Sequence, residues 1–386
     1  MTAAISSTTA KPSSPPGAAR FTWQCEALTA QLCAQMHDEW VQLAKAASEP
    51  NIFQFPSYLA HSLRLLADQA ALLIAIRENG LLIGTVIVRR DYGYAKLPVL
   101  YWNSALHYEQ FLGTPLVRKG HENGFATGLC EWLDDAPRDC AFLKLSMIGA
   151  DGPITKAIAR HCDHDQRQLF AANRFARAAI ARVGHASANP EDLIGTNRRK
   201  SIRKARKKLS QQGEVSIERL NEPAQLEDWT AHFLALENTG WKREKESSIL
   251  SCEHETALYK AIIGEAFETG NLHFSRLCLD GRPIAYTLDI AAPPIAYCLK
   301  SAIDQDFRKF SPGVLMEFET LKHYLAKQDT TFVDSCSAPD NAMLNDLWPD
   351  QKAIFDLVIE RKGVIYTLIY RLVQAIKMLL KTASKV

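Results

Sequence analysis

The chain of 386 residues predicts an α+β fold built twice, each copy a mixed central sheet flanked by helices. Three observations carry this expectation. Apolar runs of strand length alternate with segments whose apolar residues step at helical spacing. Two hairpin signals, Asn79-Gly80-x-x-Ile83-Gly84 and Asp280-Gly281-x-x-Ile284-Ala285, stand at a constant offset of 201. In each half helices precede the hairpin and a strand follows it. A Pro-containing turn then comes 26 to 29 residues past Gly84 or Ala285. A shared order at one long period is the mark of a duplicated domain.

Taken in order, residues 1–20 are rich in Ser, Thr, Ala and Pro and predict a disordered tail without the apolar core of a secretory signal. A first domain is expected over 21–185. Phe21 to Ala47 reads as a helix, because Leu28, Leu32, Met36 and Trp40 share helical spacing and Pro50 ends the run. Ser57 to Leu66 is a second helix. Ala71–Arg77 and Leu81–Arg89 are strands joined through Glu78-Asn79-Gly80, and Leu97–Trp102 and Cys140–Met147 are further strands. Asn123–Leu133 is a helix between them. Phe170–Arg182 shows no readable period.

A second domain is expected over 189–362. Leu226–Glu237 and Thr256–Glu268 are helices. Leu272–Leu279 and Ile284–Ile290 are strands, and Thr331–Ser335 and Ala353–Ile359 are late strands. Residues 363–386 predict an amphipathic helix, with Leu368, Ile369, Leu372, Val373, Ile376, Leu379 and Leu380 on one face. Arg371, Gln374, Lys377 and Lys381 lie on the other. Such a helix either packs on the protein or lies on a membrane surface.

Composition narrows the function. A net charge of +2 gives no global field for nucleic acid. The nine cysteines contain no Cys-x-x-Cys pair, so neither a zinc nor a redox motif is expected. Their scatter suits a reducing cytoplasm. No run of 18 uncharged apolar residues predicts a membrane span.

The stretch with chemical content is Ala296 to Val314. An apolar strand passes through a charged loop into Ser311-Pro312-Gly313 and an amphipathic helix. Ser311 suits an N-cap and Pro312 a first helical residue, while Gly313 leaves room at the helix mouth. Helix N-terminal amides attract anions, and Arg308 adds a cation. Two phosphates would sit on the amides of Ser311 to Val314, with the ligand along the strand edge. A capped helix without a ligand gives the same pattern.

Arg308-x-x-Ser311-x-Gly313 resembles the pyrophosphate loop of the GNAT acyltransferase superfamily. Leu236-Glu237-x-x-Gly240-Trp241-Lys242, Leu279-Asp280-Gly281-x-Pro283-Ile284-Ala285 and Tyr297-x-x-Lys300-Ser301-Ala302-x-Asp304 resemble its CelD/BcsL-like branch, associated with bacterial polysaccharide synthesis. Tandem GNAT-like domains also occur in the related Fem-type transferases. The resemblance implies acetyl-CoA or another acyl-CoA as donor, direct attack by an amine or hydroxyl acceptor, and an oxyanion held by strand amides. The acceptor would be a sugar or cell-envelope precursor. The relatives' Tyr-Lys after the late strand is absent near Asp334, where Ser335 to Asn341 precede Trp348 and Lys352. Gly113-Thr114-Pro115 in the first half lacks the Arg and the cap, so that half is not expected to bind CoA.

Candidate bases are Glu237 and Asp334, the latter ending a strand beside the loop. Helical spacing places Glu237 and Trp241 on one face, beside Lys242. Lys300 and Asp304 either line the substrate or pair with each other. Asn197 to Ser210 carries eight basic residues and no acid, with Ile202, Ala205 and Leu209 as a thin apolar stripe. Arg203 within it is a candidate for an anionic substrate or cofactor. The same helix leaves open a Fem-like reaction on aminoacyl-tRNA. A non-catalytic GNAT-like binding module is a further alternative. No metal is expected.

Overall fold

The computed structural model describes residues 21–383, without the side chains of Trp241, Lys242 and 379–383. The expected tail at 1–20 lies outside the described residues. The chain forms two compact units, one of residues 1–175 and 353–386 and the other of 176–352.

In the first unit β1 (Phe21–Ala27) is followed by α1 (Ala30–Gln35), α2 (His37–Lys45) and α3 (Pro56–Ser62). Next come β2 (Leu72–Glu78), β3 (Leu81–Tyr94), β4 (Leu97–Ser104) and the short β5 (Leu116–Val117). Then follow α4 (Glu122–Asp135), β6 (Phe142–Gly149), α5 (Pro153–His164) and β7 (Leu169–Ala181), whose last residues enter the second unit. That unit contains α6 (Arg182–His185), α7 (Thr196–Ser210), β8 (Val215–Arg219), α8 (Leu226–Glu237), α9 (Gly240–Glu244) and α10 (Glu253–Glu268). It continues with β9 (Leu272–Leu279), β10 (Arg282–Ala292), β11 (Ile295–Ile303), α11 (Pro312–Ala326), β12 (Phe332–Asp334) and α12 (Ala342–Leu347). Finally β13 (Asp350–Glu360) returns to the first unit, and α13 (Val364–Ala383) follows.

Strand alternation explains how the first sheet is covered on both faces. Leu72, Ile74 and Ile76 of β2 pack with Phe125 and Leu129 of α4 and Ile158 of α5. Leu73 and Ala75 pack with Trp40 and Leu43 of α2. The order is β1-β2-β3-β4-β6-β13, all antiparallel neighbours except β4 and β6, which run parallel through Trp102–Leu143 and Asn103–Lys144.

The second unit repeats this plan in the order β12-β11-β10-β9-β8, with β11 and β12 its parallel pair. Trp229 and Phe233 of α8 meet Phe274 and Tyr286 edge-on across one face. Ile202 and Leu209 of α7 join Leu315, Phe318 and Leu321 of α11 on the other. Both hairpins turn through left-handed residues, Asn79-Gly80 (φ 50° and 85°) and Asp280-Gly281 (φ 48° and 75°). The expected duplicated α+β fold class is therefore observed.

Three expectations change. Phe21–Ala27 is a strand, because Phe21, Trp23 and Cys25 alternate onto the core ahead of the helical run. Phe170–Arg182, unreadable in sequence, is mostly β7, whose Ala179–Ala181 pair antiparallel with β12. The division expected at 189 and 362 gives way to one in which 353–386 group with the first unit, because β13 pairs with β6 from Ile354 to Glu360.

Candidate active site

In the second unit β12 accompanies β11 only over Ile295–Phe332, Ala296–Val333 and Tyr297–Asp334. Beyond Asp334 the chain bends away, with Ser335 N–H donating to Ala178 O at 3.2 Å. From Cys298 to Ile303 this side of β11 has no paired strand among the described residues. A register shift opposes Leu288 to Lys300 and Asp289 to Cys298, so Leu299 is an extra residue in β11. A bulge of this kind leaves one residue out of the ladder. The splayed parallel pair and the bulge together make a wedge edged by main chain.

The wedge leads into the loop that precedes α11. Asp304 closes β11: its carboxylate accepts from Asp306 N–H at 3.0 Å and from Arg282 at 2.6 Å. The chain then makes a 3₁₀ turn over Gln305–Phe310. Ser311 stands at the N-cap position of α11 as expected, but in the left-handed region (φ 55°, ψ 49°) and without a side-chain cap bond. Its N–H donates to Arg308 O at 3.0 Å, and its carbonyl accepts from Val314 N–H at 3.1 Å. Pro312 has no N–H. The expected row of amides over Ser311–Val314 thus reduces to that of Gly313. Packing there is close, since a Cβ at Gly313 would lie 3.3 Å from Ile303 Cγ2. Arg308 is exposed at the rim and forms no ion pair among the described residues. Beside the loop a cleft of about 320 Å³ is lined by His232, Leu236, Arg282, Tyr286 and Asp304.

The first unit builds the same wedge and seals it. Ser146 N–H donates to Ser104 Oγ at 3.0 Å, and Ser146 Oγ donates to Asn103 Oδ1 at 2.9 Å, bridging β4 and β6. The loop after β4 lies on β6, with Gly113 N–H donating to Met147 O at 2.8 Å. A Cβ at Gly113 would fall 2.1 Å from Ser146 O, so only glycine allows this approach. Asn51 Nδ2 pins the same loop through Leu112 O and Thr114 O.

The other sequence-predicted site residues are dispersed. Asp334 is fully buried and accepts from Arg177 Nε at 2.6 Å and Nη2 at 2.9 Å, from Lys352 Nζ at 2.9 Å and from Cys336 N–H at 3.1 Å. Burial works to raise its pKa, but the Arg177 and Lys352 charges outweigh it and hold the carboxyl well below the usual range. These contacts give Asp334 the surroundings of a structural anion, in contrast to the free carboxylate that the expected base would need. Glu237 is buried at the end of α8, with Oε2 accepting from Ile249 N–H at 2.9 Å. Its helix ends there and Trp241 belongs to α9, so the two do not share a helix face. The side chains of Trp241 and Lys242 lie outside the described residues. Lys300 lies 5.5 Å over the Tyr259 ring, and Asp304 pairs with Arg282 rather than with Lys300. Arg203 on exposed α7 pairs with Glu191, while Arg198, Arg199 and Arg206 pair with Asp346, Asp192 and Glu319. The predicted stripe of Ile202 and Leu209 is buried.

One polar cluster escaped the sequence reading. Asp289 of β10 accepts from Tyr324 Oη at 3.0 Å through Oδ2, while its buried Oδ1 has no geometric hydrogen-bond partner among the described residues. Burial pushes its carboxyl up to about 7. Burial and the Asp289 charge push Glu317 up to about 8. A water-sized cavity joins Asp289 to His273 and His323, two imidazoles that burial lowers to about 4. The only sequence signal was an acid inside an apolar strand. Among the described residues no group of three or more His, Cys, Asp or Glu is arranged for a metal ion.

Residues 196–337 match the family model described as an acetyltransferase (GNAT) domain. No curated protein matches the chain. A conserved protein of unknown function from Bacteroides thetaiotaomicron VPI-5482 is 10% identical, over 87% of this chain and 99% of its own, with a TM-score of 0.53. The C-terminal DUF2156 domain of a candidate lysylphosphatidylglycerol synthetase from Agrobacterium fabrum is 12% identical, over 88% and 96%, with a TM-score of 0.52. FemX is 12% identical over 90% and 99%, with a TM-score of 0.49. At these identities the first two show a shared fold. The second unit, with its splayed parallel strands and glycine-mouthed helix, carries a GNAT acetyltransferase domain over residues 196–337.

Proposed function

We propose that the chain moves an acetyl or other acyl group from acyl-CoA to an amine or hydroxyl of a sugar or cell-envelope precursor, in the cytoplasm. The observation that carries this reading is the wedge of the second unit, open along β11 from Cys298 to Ile303 and ending at the Gly313 amide. The pyrophosphate would rest on Gly313 N–H and Arg308. The thioester carbonyl would lie near the bulge at Leu299, where strand amides oppose the developing oxyanion. The acceptor attacks that carbonyl, the C–S bond breaks, and the thiolate leaves. A thiol pKa of about 8.5 makes it a tolerable leaving group without a dedicated acid.

Glu237 remains the candidate base, since α8 packs against β11 and holds it buried there. The sealed wedge supports a structural rather than a CoA-binding role for the first unit. A reaction on aminoacyl-tRNA is the second reading. It is favoured only by Lys200, Lys204, Lys207 and Lys208, exposed on α7 and outside its four ion pairs.

The test is mass-spectrometric detection of acylated product from acetyl-CoA over a panel of amino and hydroxyl sugars. Product with one acceptor class, lost in Gly313→Val, supports the reading. Tight acetyl-CoA binding with no product over the panel favours a binding module. Transfer that requires aminoacyl-tRNA overturns the donor assignment.

A further inference from the structure

The C-terminal helix has two apolar faces, and only one is used by the fold. Tyr370 and Val373 of α13 are buried with Tyr94, Tyr101, Phe142 and Val358. Tyr370 Oη donates to Val358 O at 3.0 Å and Tyr366 Oη to Arg138 O at 2.7 Å. Lys377, placed by the sequence on the polar face, lies 4.9 Å over the Tyr94 ring. These bonds fix the helix on the first unit, so its other face cannot turn inward.

That other face is apolar and exposed. Val364 is 80% exposed, Ile365 70%, Leu368 62%, Leu372 52% and Met378 61%. They are half of the ten large hydrophobic side chains left exposed among the described residues, gathered in one helix. Singly exposed apolar residues need no explanation, but a contiguous stripe does.

We infer that the Ile365–Leu368–Leu372 face of α13 docks on an anionic lipid surface, holding the enzyme peripherally at a membrane. Charge selects this occupant. From Gly363 to Val386 the sequence has no acid and four cations, Arg371, Lys377, Lys381 and Lys385. Arg371 flanks the apolar stripe, where a cation meets headgroups while the apolar side chains enter the interface. No helix among the described residues is long and apolar enough to cross a membrane, so the contact is with the surface. This inference rests on neither the acyl donor nor the acceptor.

The test is co-sedimentation of the full chain with vesicles of 30% phosphatidylglycerol in phosphatidylcholine, against pure phosphatidylcholine. Leu368→Glu/Leu372→Glu changes only exposed positions and should keep the melting temperature. The expected result is binding to the anionic vesicles that falls at least tenfold in the double variant and weakens in Arg371→Glu. Absence of wild-type binding overturns the inference, as does equal binding by the double variant. A wild-type dimer by light scattering without lipid, made monomeric by the same substitutions, assigns the face to a second copy instead.

Discussion

Asp334→Asn should destabilise the protein strongly rather than disable a base. The side chain keeps its size, but the charge that faces Arg177 and Lys352 is removed inside the protein. Breaking a buried ion pair from one side costs about 3–5 kcal/mol, because the partner charge stays buried without compensation. At roughly 2–4 °C per kcal/mol for a domain of this size, the melting temperature should fall by about 6–20 °C. Circular dichroism at pH 7 reads this directly. The pH dependence adds a second check. The folded pKa is depressed, so the pair's stability is present above the unfolded carboxyl value of about 3.9. It is lost as the pH falls below that toward the folded value. The wild type should therefore lose more stability than Asp334→Asn on acidification. Arg177→Met and Asp334→Asn should couple in a double-mutant cycle by more than about 1 kcal/mol. A melting temperature within 1 °C of wild type, together with abolished transfer, would refute this reasoning and return Asp334 to the chemistry.

The buried Asp289 should behave in the opposite sense. Its carboxyl stays protonated in the fold up to about 7 while the unfolded chain ionises near 3.9. Its contribution therefore turns unfavourable between those values as the pH rises, and Asp289→Asn should be relatively more stable at pH 8 than at pH 4. Equal differences in urea midpoint at both pH values would contradict that. Glu237→Gln should lower kcat while leaving acetyl-CoA affinity within twofold. An unchanged kcat removes Glu237 from the reaction. Arg203→Ala should alter stability negligibly, since exposed pairs contribute little. If it raises the acceptor KM severalfold, α7 faces the acceptor after all. Filter binding of tRNA at physiological salt should be weak and salt-labile, because acids already pair the four arginines of α7.

The duplicated fold was legible because hairpin turns and apolar alternation are local properties. Asn79-Gly80 and Asp280-Gly281 announce left-handed turns, and the residues around them alternate. β1 was masked by the helical spacing of Leu28, Leu32, Met36 and Trp40 just downstream. β7 was hidden by its alanines and arginines, which carry no strand period; pairing with β12 decides it. The grouping of β13 with β6 is a matter of topology, and no local pattern encodes it. The start of α11 was legible from Ser311, Pro312 and Gly313. The left-handed Ser311 that consumes two of its amides was not visible. Asp334 reads in the sequence as an acid ending a strand beside the loop, while its ion pairs with Arg177 and Lys352 are not local. Arg177, which neutralises it, stands 157 positions away in the chain. Asp289 shows how a buried acid looks in sequence: one charged letter within an apolar strand, whose environment only the fold supplies.

The most direct test of an acyl-CoA site in the second unit is thermal unfolding with and without acetyl-CoA, in wild type and in Gly313→Val. A ligand at about 100 times its Kd adds roughly 2.7 kcal/mol. The expected result is a rise of several degrees in wild type that is lost in Gly313→Val, while the unliganded melting temperatures stay within a few degrees of each other. Equal shifts in both proteins would move the cofactor away from α11. No shift in wild type with any acyl-CoA would contradict the donor assignment itself.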